Sequence, residues 1–364
     1  MDASNRTGVD RPRRRSGRGG GHSSAGNGRS DTWRQAAATA PGELYGALDL
    51  GTNNCRLLIA TPSGHGFTVV DAFSRIVRLG EKLGQSGRLG DPAMTRTIEA
   101  LRVCANKLKW RNVVKTRLVA TEACRMAGNG ADFIARVTSE TGLVLEIIDR
   151  ETEALLAATG AEPLIDPSAE TALVFDIGGG STEMMWMARR GERCDIVAWT
   201  SLAAGVVTIS ERFGGGVDVT PQSFAAMRDY LRPMLAEFAA QVRGVTGTDA
   251  LPSHLLGTSG TVTTIAGVQL GLLRYDRSKV DGCWLDSDDI GSVTADLLNM
   301  SYAERAQNPC IGRERADLVL AGCAILEEIR LAFPAQRIRV ADRGLREGIL
   351  TTLMKADGNL GKRL

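Results

Sequence analysis

Apolar and polar positions follow one another along the chain in short runs that predict strands and helices in turn. LYGALDLG and CRLLIATP predict two strands joined by a tight turn, and GFTVVDAFSRIVRL extends the same sheet. Residues 92–110 have helical spacing after a proline, TRLVAT and LVLEIID predict short strands, and ADFIARVTSETG predicts a helix that ends at glycine. This order of elements is typical of an α/β domain.

The same order of elements starts again in the second half of the chain. Asp149 is predicted to be the N-cap of a helix over RETEALLAATG, after which TALVFDIGG, TEMMWMAR and CDIVAWTSL predict three strands. Residues 221–243 predict a helix, and HLLGTSGTVTTIAG predicts a strand, a glycine turn and a helix. RADLVLAGCAILEEIRLAF, RIRVAD and LREGILTTLMKA predict a helix, a strand and a terminal helix. The two similar halves indicate an α/β protein with a duplicated core.

The first turn of each half has nearly the same sequence. DLGTNNCR, which begins at Asp49, aligns with DIGGGSTE, which begins at Asp176. In both segments an aspartate ends a strand and precedes glycine, small polar residues and a return strand, so each turn belongs to a β-hairpin. One such hairpin is weak evidence for a binding site, but two at equivalent places of a duplicated fold argue against ordinary structural turns.

Two glycine-rich hairpins that face each other could hold a chain of phosphates. Backbone amides in a tight turn form an anion-binding concavity, and glycine permits close approach of the ligand. Asp49 and Asp176 would repel phosphate unless a cation neutralised them, and Mg²⁺ binds one or two carboxylates together with phosphate oxygens. The sequence therefore predicts a phosphate site with Mg²⁺ or another divalent cation, to which side-chain donors are added by Asn53, Asn54, Ser181 and Thr182.

Two further segments contain candidate catalytic residues. VATEACRMAGN places Arg125 just after a strand, where its guanidinium could bind two phosphate oxygens at once; the alternative is a surface arginine at a helix start. IIDRETEALL places Glu151 and Glu153 in the first turn of a helix, where the helix dipole favours the ionised carboxylate of a general base. For both glutamates the alternative is simple compensation of that dipole.

Composition narrows the class of protein. The 364 residues suit about two domains, and no apolar run approaches the ~20 residues of a membrane span. With no apolar signal core at the N-terminus, we expect a cytoplasmic protein without a membrane partner. Seven cysteines without a CxxC pair and three histidines argue against a disulfide framework, a zinc site or a Ser-His-Asp triad.

Residues 1–41 predict a disordered basic tail, because they are rich in Gly, Ser, Arg and Ala. The first 34 residues contain eight Arg and three Asp, a net charge of +5, whereas the whole chain has a net charge of +2. Contact with RNA or polyphosphate is the functional interpretation of this tail, and a dispensable extension is the interpretation we favour.

The segments named above resemble the Ppx/GppA phosphatase family of exopolyphosphatases and guanosine pentaphosphate phosphohydrolases, in its short two-domain form. The resemblance covers residues 43–355 and implies two RNase H-like domains of the actin, Hsp70 and sugar kinase type, with a phosphate-binding cleft between them. We place these domains at 42–150 and 151–344, and the C-terminal helix 345–358 could pack back on the first. The matching blocks, in the expected order, are DLGTNNCRLLI, ATEACRMAGN, IIDRETEALLAATG, VFDIGGGSTEM, SLAAGVVTISERF, GTSGTVTTIAG, RADLVLAGCAIL and ADRGLREGIL.

The resemblance also implies roles for individual residues. Glu153 matches the proposed base that activates water, and Arg125 matches an arginine of the family's motif. Asp176 matches the metal-associated aspartate, and we expect Asp49 and Glu183 to complete the Mg²⁺ ligands. The residues implied to bind phosphate by the two loops are Gly51, Thr52, Asn53, Asn54, Arg56, Gly178, Gly179, Gly180, Ser181 and Thr182.

Three positions differ from the usual family pattern. Thr152 stands where a glutamate is frequent, Arg150 stands where the preceding turn has a glycine, and Arg343 stands where small residues are usual. Thr152 leaves one carboxylate fewer near the base, which could weaken the positioning of metal or water, although Glu151 could compensate.

The leading hypothesis is Mg²⁺-dependent release of orthophosphate from the end of inorganic polyphosphate. Hydrolysis of guanosine pentaphosphate (pppGpp) is the alternative within the same chemistry, because the motifs serve a shared phosphate tail. A kinase-like ATPase and a non-catalytic protein that binds polyphosphate or RNA are two further hypotheses. As family members are commonly dimers, we expect a homodimer.

Overall fold

The structure is a computed structural model that describes residues 43–64, 66–247 and 251–360. The tail predicted over residues 1–41 lies outside these ranges and stays a prediction. The described residues belong to one compact unit, so the two sheets below are parts of one body. The sequence-based domain limits also stay a prediction.

The first sheet has five strands in the order β3-β2-β1-β4-β5. β1, β2 and β3 pair antiparallel, whereas β4 pairs parallel with β1 and β5 pairs parallel with β4. The strand directions follow from the connections. The short turn after β1 reverses the chain, so β2 is antiparallel to β1. The helices before β4 and β5 return the chain to the end at which β1 begins, so these strands run parallel to β1. The strands are β1 (Tyr45–Leu50), β2 (Asn54–Ser63), β3 (Gly66–Ile76), β4 (Lys115–Ala120) and β5 (Glu146–Ile147).

The second sheet repeats this topology with one added strand. Its order is β10-β11-β9-β6-β7-β8, in which β6, β7 and β8 are antiparallel and β9 and β11 are parallel to β6. β10 adds an antiparallel edge that the sequence patterns did not predict. The predicted class, two RNase H-like folds in one α/β chain, is confirmed. The strands are β6 (Thr171–Ile177), β7 (Thr182–Arg190), β8 (Arg193–Leu202), β9 (His254–Thr258), β10 (Trp284–Asp286) and β11 (Arg337–Ala341).

Local signals set the ends of most of the helices that the sequence predicted. The Asp149 carboxylate accepts a hydrogen bond from the amide of Thr152, as an N-cap does, and Gly142 ends its helix in the left-handed region. The helices are α1 (Leu83–Ser86), α2 (Asp91–Trp110), α3 (Glu122–Met126), α4 (Gly130–Thr141), α5 (Arg150–Ala161), α6 (Val206–Arg212), α7 (Pro221–Thr246), α8 (Ser259–Gln269), α9 (Arg277–Val280), α10 (Ser287–Asn299), α11 (Tyr302–Gln307), α12 (Val319–Ala332) and α13 (Leu345–Ala356). Among the residues described, none of these helices is long and apolar enough to cross a membrane.

Helices α5 and α13 lie between the two sheets, and each packs against the sheet formed by the other half of the chain. α13, which follows the second sheet in the chain, buries Ile349 and Leu350 in a cluster with residues of β1. α5, which follows the first sheet, buries Ala154 and Ala158 in a cluster with residues of β6 and β7. Each lobe, meaning one sheet with its outer helices, is therefore joined to the other through this helix pair.

Two glycines allow α5 and α13 to cross at backbone contact. A Cβ atom added at Gly160 would lie 1.9 Å from the carbonyl oxygen of Gly344, and one added at Gly348 would lie 1.9 Å from that of Leu156. No side chain fits at either position, so the crossing point needs glycine for reasons of space.

Candidate functional site

The two predicted hairpin turns face each other across the junction of the lobes. In the strand register, Asp49 lies opposite Arg56 at the end of the first hairpin, and Asp176 lies opposite Glu183 at the end of the second. A Cβ atom added at Gly179 would lie 3.0 Å from the Cβ of Thr52 and 3.1 Å from the amide nitrogen of Asn53. The second turn can approach the first this closely because it is built of glycine.

A cavity of about 120 Å³ lies between the turns and is lined by most of the predicted site residues. Glu153 reaches it from the first turn of α5, the helix that begins at the lobe junction. The predicted residues that line it are Asp49, Gly51, Thr52, Asn53, Asn54, Arg56, Glu153, Asp176, Gly178, Gly179, Gly180, Ser181 and Glu183.

Thr182 does not line this cavity. Its side chain is fully buried and its hydroxyl donates a hydrogen bond to the carbonyl oxygen of Ala204, 2.6 Å away. Successive side chains of a strand point to opposite faces, so Thr182 cannot share a face with Glu183, which does line the cavity.

Arg125 also lies outside the cavity lining. Its Nη2 atom donates to Glu153 at 3.0 Å and to Glu122 at 2.5 Å, and its Nη1 atom donates to the carbonyl oxygen of Ile148 at 2.5 Å. The guanidinium predicted to bind phosphate is thus engaged by protein acceptors, two of them carboxylates.

Several lining residues were not selected from the sequence. Glu122 follows β4 directly within the quoted segment VATEACRMAGN, and Arg315 opens the block RADLVLAGCAIL. Both residues could have been selected from the sequence, because each is a charged residue in a matching block, next to the end of a strand or helix. The others are Thr121, Ile177, Val206, Ser259, Gly260, Thr261, Thr264, Leu318, Val319 and Leu345.

Burial controls the ionisation of the carboxyl groups at the cavity. It raises the pKa of Asp49 and of Asp176, and burial together with the charge of Asp176 raises the pKa of Glu183 to about 7. Burial and the charge of Glu183 also raise the pKa of Glu153, while Arg125 acts in the opposite direction. The cavity therefore concentrates acidic groups whose charged forms need a cation or a hydrogen-bond donor.

The first turn carries polar atoms without a partner. Within the described chain, the side-chain oxygens Thr52 Oγ1, Asn53 Oδ1 and Asn54 Oδ1 are buried and accept or donate no hydrogen bond. Buried polar atoms normally have partners, so three orphans on one turn indicate a place for a polar ligand.

The carboxylates fit a magnesium ion better than a metal held by protein side chains alone. In the described ranges, no group of three or more His, Cys, Asp or Glu side chains converges to hold a metal. Asp49 and Asp176 are both half-buried, and the charge of Asp49 raises the pKa of Asp176. Two facing carboxylates suit Mg²⁺, which takes its remaining ligands from water and substrate oxygens.

A second cavity of about 710 Å³ continues from the first. Asp49, Asn54, Arg56, Asp176 and Arg315 line both. Six arginines border the second cavity, and four of them form no salt bridge with any carboxylate in the part of the chain that the structure describes: Arg56, Arg75, Arg313 and Arg315. The other two are Arg343 and Arg346.

Comparison with known proteins agrees with the resemblance seen in the sequence. The model of the Ppx/GppA phosphatase family matches residues 58–357. A Mycobacterium tuberculosis protein named exopolyphosphatase 2 is 29% identical over 321 residues, which are 84% of this chain and 97% of that protein.

Solved structures agree as well. The Aquifex aeolicus member of the family is 28% identical, has a TM-score of 0.72, and the match covers 87% of this chain and 99% of that one. An exopolyphosphatase from Cytophaga hutchinsonii is 24% identical with a TM-score of 0.77, over 86% and 98% of the two chains, and supports the fold.

Proposed function

Because the chain belongs to the Ppx/GppA phosphatase family, a family of phosphoanhydride hydrolases, we propose that it releases orthophosphate from the end of inorganic polyphosphate. The name of the Mycobacterium tuberculosis relative, exopolyphosphatase 2, supports this substrate. The observation that carries the proposal is the second cavity: Arg56, Arg75, Arg313 and Arg315 form no salt bridge among the described residues, and a row of phosphates could form ion pairs with them.

The hairpin turns bind the phosphate, and Glu153 acts on the attacking water. The glycine-rich turns bind the terminal phosphate through backbone amides, and the Thr52 hydroxyl, which lacks a partner in the protein, can donate to it. The unpartnered amide oxygens of Asn53 and Asn54 only accept hydrogen bonds, so they suit a water molecule or a hydrated cation. Glu153 accepts a proton from a water molecule as the water oxygen forms a bond to the terminal phosphorus. The bridging P–O bond breaks, and the chain leaves one phosphate shorter. A base needs a pKa near the working pH, and burial moves the pKa of Glu153 in that direction.

Asp49 and Asp176 would hold Mg²⁺, with Glu183 close by. When bound, the ion neutralises phosphate charge and stabilises the charge that develops during transfer. The cation, the homodimer and the cytoplasmic location stay predictions.

The second candidate substrate is pppGpp. Both hairpin turns would contact only the phosphate part of a ligand, and pppGpp presents a terminal phosphoanhydride of the same chemistry. The arginine-lined second cavity favours polyphosphate, because the guanosine end of pppGpp carries less negative charge.

Orthophosphate release from long-chain polyphosphate and from pppGpp, with Mg²⁺ and with a chelator, tests the proposal. We expect a larger kcat/KM for polyphosphate and no release with the chelator. Glu153→Gln should lower kcat by about 10²-fold or more while polyphosphate binding is retained. A strong preference for pppGpp would reverse the choice of substrate, phosphate transfer to another acceptor would indicate a kinase, and binding without any turnover would indicate a non-catalytic protein.

A further inference from the structure

The guanidinium of Arg125 is held almost entirely by two glutamates. Its Nε and Nη2 atoms donate to Oε2 of Glu122 at 3.1 and 2.5 Å, and Nη2 also donates to Oε2 of Glu153 at 3.0 Å. The third nitrogen donates to a backbone carbonyl. All three nitrogens therefore have protein acceptors, and both glutamates that they contact line the cavity.

Glu122 in turn lies between two arginines. Arg150 donates from Nη2 to Oε1 of Glu122 at 2.8 Å and from Nε to Oε2 at 3.3 Å. The Glu122 side chain is 9% exposed. Burial acts to raise its pKa, but the hydrogen bonds from Arg150 and Arg125 outweigh burial and lower it. Glu122 is thus a fixed negative charge shared by two cations.

This group also contacts the second hairpin turn. A Cβ atom added at Gly180 would lie 3.0 Å from Cγ of Glu122, so the glutamate packs directly against the phosphate turn. Arg150, Glu122 and Arg125 form one chain of ion pairs that ends at Glu153, and we refer to these four residues as the Glu122 network.

The geometry points to Glu122 and Arg150 as positioning residues that hold Arg125 against Glu153 and so fix the orientation of the Glu153 carboxylate toward the attacking water. The inference rests on the proposed function, in which Glu153 is the base. Arg150 matters because it donates to Oε1 of Glu122, whereas Arg125 donates to Oε2 alone. Without Arg150, both Glu122 oxygens would compete for Arg125 and draw its Nη2 atom away from Glu153.

Steady-state kinetics on polyphosphate separate positioning from binding. We expect Glu122→Gln to lower kcat about tenfold or more, because small displacements of a catalytic group are costly, while KM changes less than about twofold. Arg150→Ala should lower kcat about three- to tenfold, and Arg150→Lys should recover part of the loss because its ammonium can contact one Glu122 oxygen.

A double variant and a matched control complete the kinetic test. If Arg150 acts through Glu122, the double variant Glu122→Gln/Arg150→Ala should be no slower than Glu122→Gln alone. Arg117→Ala removes a comparable arginine on the same lobe, paired with the exposed Glu146 at 3.1 Å, and should leave kcat unchanged. Thermal melting of each variant reports on folding. If Glu122→Gln folds poorly, the comparison of Arg150→Ala with Arg150→Lys still tests the inference, because both variants keep Glu122.

A crystal structure of Arg150→Ala tests the inference independently of turnover. We expect the hydrogen bond between Arg125 Nη2 and Glu153 to be lost. If the contact persists, or if wild type hydrolyses polyphosphate and the variants raise only KM or change nothing, the inference is wrong. If wild type hydrolyses neither substrate, the proposed function fails, while the structure of the variant still decides the inference.

Discussion

Glu183 is a carboxyl group that the fold removes from water, where its charged form is most stable. Its carboxylate accepts a hydrogen bond from the Ser201 hydroxyl at 2.8 Å, and the neighbouring charge of Asp176 opposes its ionisation. At the scale of one residue the site therefore costs stability, as is common where function needs buried charge.

This cost should depend on pH. The pKa of Glu183 rises from 4.5 to about 7 on folding, so between these values the folded protein binds more protons than the unfolded chain. The free energy of unfolding should then fall as the pH rises through this window. With divalent cations removed, Glu183→Gln should raise the unfolding free energy at pH 8 by of the order of 2 kcal/mol and change it much less at pH 5.

Thermal and denaturant melting at the two pH values measure this effect. Glu237→Gln changes an exposed glutamate of α7 and should behave alike at both. Equal effects of Glu183→Gln at pH 5 and pH 8 would contradict the prediction. Added Mg²⁺ should reduce the advantage of the variant, because a bound cation would stabilise the charged carboxylate.

At the scale of elements, the crossing of α5 and α13 joins the lobes and fixes the position of Glu153, which lies on α5. The start of α5 was predictable because the Asp149 cap is a local signal, and the structure confirms it. The start of α12 was not: the sequence pattern predicted a helix from Arg315, but the helix begins at Val319. Residues before it instead form turns that place Arg315 at the cavity and Asp317 against the other lobe.

The crossing should not tolerate a methyl group. Gly160→Ala would bring its Cβ atom 1.9 Å from the Gly344 carbonyl oxygen, so backbone must move. We expect a loss of about 2 kcal/mol or more in unfolding free energy, together with reduced kcat because α5 carries Glu153.

A second helical glycine provides the control. Nothing lies within 4 Å of a Cβ atom added at Gly244, which is exposed on α7. Gly244→Ala should raise the unfolding free energy by about 0.5–1 kcal/mol, since alanine favours the helix. Denaturant unfolding measures both variants, and stability of Gly160→Ala equal to wild type would show that the crossing has room to adjust.

At the scale of the whole molecule, polar contacts of Arg78 and Lys82 join the lobes away from the helix crossing. Arg78 donates two hydrogen bonds to Asp317, at 2.8 and 3.0 Å, and the amide of Lys82 donates to Glu211 at 2.8 Å. Because the two turns come from different lobes, any contact between lobes also affects the phosphate cavity.

Loss of the Arg78–Asp317 pair should weaken substrate binding. Asp317→Asn keeps the shape of the side chain but removes its charge, so the lobes should spend more time apart. About 1 kcal/mol of lost closure would raise the Kd for polyphosphate roughly fivefold. Calorimetric titration in the Glu153→Gln background measures Kd without turnover.

Asp229→Asn is the matched control for this prediction. Asp229 forms a salt bridge with Arg232 at 2.8 Å on α7 of the second lobe, so this pair does not connect the two lobes. Its removal should leave Kd unchanged. A lower melting temperature for Asp317→Asn with an unchanged Kd would restrict the role of the pair to stability.

The sequence alone determined the features that depend on neighbouring residues. Strand and helix order, the helix cap at Asp149 and the two turns that begin after Asp49 and Asp176 follow from periodicity and local backbone preference. The family resemblance implied Glu153 as the base and the two turns as the phosphate loops, and the structure places all of them at one cavity.

Tertiary structure decided which side chains face the cavity and what they contact. Glu122 meets Arg150 across 28 residues and Arg78 meets Asp317 across 239, distances along the chain at which local patterns carry no information. Thr182 turns inward to Ala204, and Arg125 contacts glutamates, because the packing of the lobes sets the direction of each side chain. Side-chain partners depend on contacts between distant segments, and these exist only once the chain has folded.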